Sequence, residues 1–375
     1  MRIPKLRLGP ALALSGLLLL AAEGSGARAQ GAPVERLPRE VLDIAPPAER
    51  VDGALGAQRV VASACPSLPL ASARRRIVDA AAQEWAYFGF SVTDRRVPRG
   101  ESRLSGFLGR GGNQSWRRGA SRERLAEFAR VAPSIAGYWA ATPGGSWALE
   151  RQNARWAEST AGAARWRDPW SAAFVSWVYC VSGLGEPDRF QRSIAHRDYV
   201  DQAIRARDGR APSAALRAYD PGEATILPGD LVCSATRSGY QTIDQRRRQL
   251  GRAASMHCDI VVSVDAPADE ILTIGGNVYG TVSLKRMPAV RERGTQLHPR
   301  DDIFAHLALD ADPIEADALR GSPSIAALGC GSGFAPPSPV TGLGLPLGDG
   351  ACDGAAPSRD ARAPRLEYRL FLLVP

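Results

Sequence analysis

The stretch Asp168-Pro-Trp-Ser-Ala-Ala-Phe-Val-Ser-Trp-Val178 decides how the fold of this chain is interpreted. Pro169 suits the first turn of a helix because its missing N–H needs no partner there. The apolar residues that follow share one helical face: Phe174, Trp177, Val178 and Val181. Gly183 and Gly185 then end the pattern. We therefore predict a short apolar helix that begins at Ser171.

Different patterns lie on the two sides of this helix. Before it, helical spacing predicts a helix from a Ser72 N-cap to Gly89, and one or two helices between residues 125 and 139 that are broken near Pro133. After it, a helix over residues 190–205 precedes short β-rich runs at 229–234, 257–264, 270–274, 279–284 and 303–309. Helices followed by strands predict an α+β domain, with an N-terminal helical half packed on a small antiparallel sheet.

The remaining segments give the predicted domain boundaries. Residues 30–70 are rich in Ala, Pro and Gly and predict a linker or irregular arm, so the domain is placed at residues 71–310. Residues 311–364 form a Pro/Gly-rich, low-complexity segment. Apolar side chains recur at every second position from Leu366 to Val374, which predicts a terminal strand over residues 365–375.

The first 29 residues have the pattern of a secretory signal peptide. Basic residues precede an apolar run over residues 11–22, and Ala27-Arg-Ala29 follows as a cleavage site. The run is too short to span a bilayer comfortably, and no later segment is long and apolar enough to do so. We expect an exported, periplasmic protein without a transmembrane segment after cleavage.

The charge of the chain is too mild to indicate a nucleic-acid partner. The formal net charge is +8 and falls to +5 when residues 1–29 are removed, since they carry four basic residues and one acidic residue. The densest basic clusters are Arg74–Arg76 and Arg246–Arg248, which we expect to be solvated helix or loop faces. The partners left open are peptidoglycan and a protein of the cell envelope.

The six cysteines predict disulfides and no metal site. They are Cys65, Cys180, Cys233, Cys258, Cys330 and Cys352, and their spacing is that of no metal-binding motif. Cys233 and Cys258 lie on neighbouring predicted strands, so a cross-strand bond between them is the first choice. Cys330 with Cys352 would hold the tail. Cys65 with Cys180 is the remaining pair, and the alternative for Cys180 is a buried free thiol in its helix. No cofactor is predicted.

Several motifs in one order resemble a known bacterial family. They are Trp85, Tyr138-Trp139, Pro169-Trp-Ser-Ala-Ala-Phe174, Ala195-His-Arg-Asp-Tyr199, Gly229-Asp-Leu-Val-Cys233, His257-Cys-Asp-Ile-Val-Val262 and Gly275-Gly-Asn-Val278. Over residues 72–309 the chain resembles the family catalogued as domain of unknown function 2272. The order of the motifs is more distantly similar to the papain-like NlpC and CHAP group of cell-wall hydrolases, in which the comparable helix begins Trp-Cys-Ala-Ala-Phe-Val.

The resemblance to the hydrolases implies a catalytic site. It places Ser171 at the nucleophile position, His257 at the base and Asn277 at the orienting position. Asp259 is a rival for the orienting role, because alternate residues of a strand share a face with His257. Trp170 and His196 are the remaining candidates to line the cleft, and the plain alternative for His196 is a histidine on a helix surface.

Serine at position 171 changes the chemistry that the resemblance implies. A papain-like site uses a thiolate, which a helix N-terminus and an imidazolium stabilise. A hydroxyl is much harder to ionise, and a helix dipole contributes only about 1 kcal/mol. Ser171 would therefore need His257 to take its proton during attack, as in Ser/His hydrolases.

Two functions follow, and the sequence leaves both open. The first is an exported hydrolase that cleaves peptide or amide bonds of the cell wall through Ser171. The second is a catalytically inactive module that binds peptidoglycan or an envelope protein through the same cleft, with Ser171 as a helix-capping residue. Asn277 has a similar plain alternative, as a turn residue after two glycines.

Overall fold

A computed structural model describes residues 35–95, 104–105, 122–158, 165–237, 239–292, 294–300 and 302–330. The predicted signal peptide, residues 331–364 of the low-complexity segment and the predicted terminal strand lie outside these ranges. The helices and strands are, in chain order, β1 (Val51–Asp52), β2 (Arg59–Val60), α1 (Ala73–Tyr87), β3 (Ser91–Asp94), β4 (Leu104–Ser105), α2 (Arg122–Ala140), α3 (Ser146–Glu158), α4 (Ser171–Val181), α5 (His196–Arg207), β5 (Leu216–Tyr219), β6 (Leu231–Ala235), α6 (Ile243–Arg247), β7 (Met256–Asp265), β8 (Glu270–Val278), β9 (Thr281–Val290), β10 (His298–Pro299), β11 (Ile303–Leu309) and α7 (Pro323–Cys330).

The predicted helices are present, with two differences in their course, and α3, α6 and α7 were not predicted. The helix predicted from Ser72 and the one predicted at Ser171 are confirmed as α1 and α4. Helix α2 is continuous through Pro133, where a break was predicted; Ala132 and Ile135 on either side of the proline are buried in the core, which holds the helix together. Helix α5 begins at His196 rather than at residue 190.

One nine-stranded sheet carries the strands of the domain. Its order is β4-β3-β9-β8-β7-β6-β11-β5, and β10 pairs with β9. The α+β class is confirmed, but the prediction of a small antiparallel sheet is wrong, because β3 pairs in parallel with β9. The chain turns directly from α1 into β3 through Gly89 and Phe90, both at positive φ. The four residues of β3 then pair with β9. That pairing joins residues about 190 positions apart, which local sequence patterns do not reveal.

Helices α1 and α4 pack against the central strands and form the main core. The largest fully buried side chains there are aromatic: Trp85, Trp170, Trp177, Tyr138 and Phe174. A second, smaller apolar cluster includes Val232, Val261, Ile271 and Met287. Polar side chains on such buried strands have little conformational freedom.

Two disulfides join separate parts of the fold. Cys233 and Cys258 bond across β6 and β7, as predicted. Cys65 bonds to Cys180 and ties the arm before α1 to the C-terminal end of α4. Cys352 lies outside the described residues, so the Cys330–Cys352 bond stays a prediction. No helix in the described ranges is long and apolar enough to cross a bilayer.

Two arginines of the predicted surface clusters are buried instead. Arg74 is 2 % exposed and bonds Asp230 at 2.7 Å, and Arg246 is fully buried and bonds both carboxylate oxygens of Asp201 at 2.7 Å. The prediction of solvated faces is therefore wrong for these two side chains. Each guanidinium holds two chain segments together, because its planar fork meets a carboxylate and nearby carbonyls at once.

Candidate functional site

Ser171 is the first residue of α4, at the end of the helix where backbone N–H groups are free. The residue before it, Trp170, is 1 % exposed and packs against the rings of Phe88 and Tyr138, with centroid distances of 5.8 Å to each. The ring of Trp170 therefore belongs to the core. It fixes the start of α4 and with it the position of the Ser171 side chain.

The Ser171 hydroxyl is hydrogen-bonded to His196. The distance from Ser171 Oγ to His196 Nε2 is 2.7 Å. On its other side, His196 Nδ1 faces the Tyr199 hydroxyl and the backbone N–H of Cys258, the latter at 3.3 Å. A backbone N–H can only donate, so Nδ1 must be an acceptor. The proton of the neutral ring therefore lies on Nε2, which donates to Ser171 Oγ.

His196 is held in that neutral form. Burial, and then the neighbouring His257, lower the pKa of His196 well below its usual range, against the opposing charge of Asp259. A neutral ring with its proton on Nε2 cannot take the proton of Ser171. The Ser171 oxygen accepts from His196, and its own O–H proton stays free to be donated elsewhere.

His257 forms a second polar unit with Asp259 and Lys285. His257 Nε2 lies 2.8 Å from Asp259 Oδ1, and Lys285 Nζ lies 2.7 Å from Asp259 Oδ2. Burial opposes the ionisation of Asp259, but His257 and Lys285 outweigh it and hold the pKa of that carboxyl well below its usual range. An ionised carboxylate can only accept, so Nε2 of His257 carries a proton.

The two units lie beside each other. The ring centroids of His196 and His257 are 5.2 Å apart, and the His257 side chain keeps 17 % of its surface exposed. Among the described residues, nothing is hydrogen-bonded to Nδ1 of His257. In the neutral ring this nitrogen is unprotonated, so His257 has the form of a general base.

The residue that is hydrogen-bonded to the His257 ring is Asp259 and not Asn277. Asn277 is near the end of β8 with φ of 57°, in a region where the pairing of β8 with β9 is irregular. Tyr279 and Gly280 follow at positive φ and make the two-residue turn into β9. Within the described chain no hydrogen bond joins Asn277 to His257. The orienting contact that the resemblance assigns to Asn277 is made by the rival Asp259.

The two glycines before Asn277 make room for the site. A Cβ at Gly275 would lie 1.9 Å from Asp259 Oδ1, and a Cβ at Gly276 would lie 2.5 Å from Phe174 Cβ. Gly275 therefore lets the His257–Asp259 pair rest against the backbone of β8. Gly276 lets α4 approach the sheet.

We expect Gly275→Ala to break the His257–Asp259 hydrogen bond, because the added methyl group occupies the place of Asp259 Oδ1. The ¹⁵N chemical shifts of the His257 ring report the loss of the protonated Nε2 partner. Gly276→Ala is the matched control: overpacking against Phe174 should cost about 1–3 kcal/mol of unfolding free energy, with the His257 signals kept. Unchanged His257 shifts in Gly275→Ala would contradict the packing described above.

Three members of the site were not predicted: Lys285, Tyr199 and the backbone N–H of Cys258. Lys285 had a signal in the sequence, since it is the single lysine after residue 29 in an arginine-rich chain. Tyr199 lies three residues after His196, a spacing that places both side chains on one face of a helix. The Cys258 N–H has no side-chain signal, and only the fold reveals it.

Comparison with known proteins places these residues within one family segment. Residues 130–309 match the model of a family described as "Uncharacterized protein conserved in bacteria (DUF2272)". The segment includes Ser171, His196, His257, Asp259 and Lys285. No curated protein and no solved structure matches the chain.

Proposed function

We propose that this chain, whose residues 130–309 belong to the bacterial DUF2272 family, is a serine-dependent hydrolase of amide bonds. The observation that carries the proposal is the pair of complementary hydrogen-bond arrangements at Ser171 and His257. Ser171 has a hydroxyl proton to give, and in the neutral His257 ring Nδ1 is the nitrogen that can receive it, with Asp259 behind the ring. Nucleophile, base and orienting carboxylate are the three parts of a Ser/His/Asp site.

The reaction would proceed in two stages. Ser171 Oγ attacks the amide carbonyl carbon while its proton passes to His257 Nδ1, and the charge moves to the carbonyl oxygen. His257 then protonates the leaving nitrogen, the C–N bond breaks and an ester to Ser171 remains. Water attacks that ester with His257 again as the base, which releases the carboxylic acid and restores Ser171.

The surrounding groups support this sequence of proton transfers. Asp259 stabilises the imidazolium that His257 becomes, and Lys285 keeps the carboxylate ionised. His196 donates from Nε2 to Ser171 Oγ, which stabilises the negative charge that develops there as the proton leaves. The helix dipole at the N-terminal end of α4 also stabilises this negative charge, by about 1 kcal/mol.

The substrate class rests on the resemblance to cell-wall hydrolases, which act on peptide and amide bonds of peptidoglycan. Export to the periplasm would place the protein beside that substrate. The signal-peptide pattern of residues 1–29 and the two disulfides support export, since disulfides form and persist in oxidising compartments.

The alternative is a binding module without catalysis, and one observation favours it. The hydrogen bond of Ser171 goes to His196, and within the described residues none joins Ser171 to His257. In such a module the same polar groups would bind an envelope ligand and leave its bonds intact.

Digestion of purified peptidoglycan sacculi separates the two functions. The wild type should release fragments with new amino groups, and Ser171→Ala should lose this activity by at least about 10³-fold. Ser171→Cys should keep activity, since a thiol at this position is the nucleophile of the related enzymes. Ser213→Ala, at an exposed serine, is the matched control.

The same experiment includes a sedimentation assay with the sacculi. If the wild type sediments with sacculi and releases no fragments, the hydrolase is refuted and the binding module stands. If Ser171→Ala releases fragments as fast as the wild type, Ser171 is not the nucleophile.

A further inference from the structure

The site residues of β7 lie where this strand is paired unequally on its two sides. The register of β7 with β6 runs from Met256 to Ile260 and includes His257, Cys258 and Asp259. In the described residues, the register of β7 with β8 begins only at Ile260. The sheet therefore holds these three site residues from the β6 side.

Cys258 faces β6 at a position where the two backbones exchange no hydrogen bonds. Opposite residues of an antiparallel pair alternate between hydrogen-bonded and non-hydrogen-bonded positions. In the same register, the N–H of Val261 donates to the carbonyl oxygen of Asp230 at 2.9 Å, which marks a hydrogen-bonded position. The pair Cys233–Cys258 lies three residues from it and is thus non-hydrogen-bonded. The Cα distance of 4.1 Å between the two cysteines agrees, since such pairs lie about 4.5 Å apart.

The N–H of Cys258 therefore points away from β6, and His196 accepts it. His196 Nδ1 lies 3.3 Å from this nitrogen. In a regular sheet the acceptor would be a carbonyl oxygen of the next strand, so the imidazole takes the place that β8 would fill. The position of His196, and the 2.7 Å hydrogen bond from its Nε2 to Ser171 Oγ, thus depend on where the Cys258 backbone lies.

The disulfide fixes the Cys258 backbone relative to β6. Both cysteines are fully buried, and among the described residues the bond to Cys233 is the direct link of Cys258 to β6. The far side of β6 is irregular as well, because the register of β11 shifts between Ile303 and Ala305 and leaves Phe304 as a bulge beside Cys233. At this point the backbone ladder constrains the strands less than a regular ladder does, and the covalent bond supplies the constraint.

We propose that the Cys233–Cys258 disulfide is a positioning element of the site, which holds the Cys258 N–H at His196 and thereby His196 at Ser171. Its role in catalysis rests on the hydrolase proposed above, whereas the positioning of His196 does not. The two cysteines are buried and act through His196, so they are positioning residues and touch no substrate.

The second disulfide of the chain provides the matched control. Cys65–Cys180 lies at the opposite end of α4 from Ser171, and an 11-residue helix is about 16 Å long. It closes a loop of 115 residues, against 25 for Cys233–Cys258. Cys65→Ala/Cys180→Ala should therefore lower the melting temperature more than Cys233→Ala/Cys258→Ala does. A purely structural role of both bonds predicts that the site follows the same order.

The positioning role predicts the reverse order at the site. In Cys233→Ala/Cys258→Ala, the amide hydrogen of residue 258 should exchange about tenfold faster relative to that of Ile260, because its hydrogen bond to His196 is lost. The ¹⁵N chemical shifts of the His196 ring should change with it. In Cys65→Ala/Cys180→Ala both signals should equal those of the wild type. Neither measurement needs a substrate.

Digestion of sacculi by the same two variants tests the role in catalysis. Cys233→Ala/Cys258→Ala should lower the maximal rate of fragment release by about 10- to 10²-fold, with the half-saturating amount of sacculi unchanged, because Ser171 is displaced and the binding surface is not. Cys65→Ala/Cys180→Ala should keep the wild-type rate. If the wild type releases no fragments, the hydrolase is refuted, and the amide and ring signals still decide the positioning of His196.

Cys233→Val/Cys258→Ala covers the case in which the double alanine variant does not fold, since it fills the space of the two sulfurs with an apolar pair of similar volume. The positioning is overturned if a folded variant without this bond keeps the wild-type exchange rate at residue 258 and the wild-type His196 shifts. The catalytic role is overturned if these signals change while fragments are released at the wild-type rate.

Discussion

Asp259→Asn is expected to lower the rate of amide hydrolysis by about 10³- to 10⁴-fold while the protein stays folded. The effect arises from the direction of the hydrogen bonds rather than from their number. Lys285 has only protons to offer, so it will bind the amide oxygen of the new Asn side chain. The amide nitrogen then faces His257 Nε2.

The tautomer of His257 should change as a result. With a donor in front of it, Nε2 must become the acceptor, and the proton of the neutral ring moves to Nδ1. The nitrogen that is proposed to receive the Ser171 proton is then already occupied. The ¹⁵N shifts of the ring should show the exchange of the two nitrogens, independently of any activity.

Removal of Lys285 tests this explanation directly. In Asp259→Asn/Lys285→Met nothing holds the amide oxygen away from the ring, so the amide can rotate and accept from Nε2 again. We expect this double variant to recover part of the activity that Asp259→Asn loses, in a non-additive way. Asp259→Asn activity within tenfold of the wild type, with unchanged His257 shifts, would show that Asp259 does not set the tautomer.

Asp230→Ala is expected to have the largest effect on stability, about 3–5 kcal/mol. The Asp230 carboxylate is fully buried and accepts four hydrogen bonds, from Arg74, His306 and the backbone N–H groups of Leu227 and Leu309. Their distances are between 2.7 and 2.9 Å. Its removal leaves the buried Arg74 guanidinium without a counter-charge and three further donors without an acceptor.

Urea unfolding measures this loss as a lower midpoint at unchanged slope. Asp310→Asn is the matched control, since the Asp310–Arg217 pair is largely exposed and should contribute less than about 1 kcal/mol. Asp230→Asn keeps the volume and one acceptor and should lie between the two. Equal midpoints for Asp230→Ala and Asp310→Asn would show that the buried network does not stabilise the fold.

Local patterns predicted the elements that carry the site, but not the pairing between distant ones. The helix at Ser171 and the strand at His257 follow from apolar periodicity over a few residues, and α4 and β7 are present. The parallel pairing of β3 with β9 depends on contacts about 190 residues apart, so no short window contains it. The buried positions of Arg74 and Arg246 have the same origin, because their partners lie elsewhere in the chain.

The candidate site was likewise predictable from local patterns only in part. Alternation along a strand was enough to place Asp259 beside His257, because both side chains belong to one strand. The meeting of His196 with Ser171 and with the Cys258 N–H requires α4, α5 and β7 to converge. Their hydrogen bonds determine which histidine holds a proton and which can take one, and this information is absent from residue types alone.

The Cys65–Cys180 bond, which ties the arm to α4, also acts on the chain before it folds. Its ends are 115 residues apart, against 25 for Cys233–Cys258. In the chain-entropy model, closing these loops lowers the conformational entropy of the denatured state and stabilises the fold by about 5 and about 3.5 kcal/mol respectively. A chain synthesised in a reducing compartment would lack both contributions, so the yield of native protein should depend on the redox conditions of its folding.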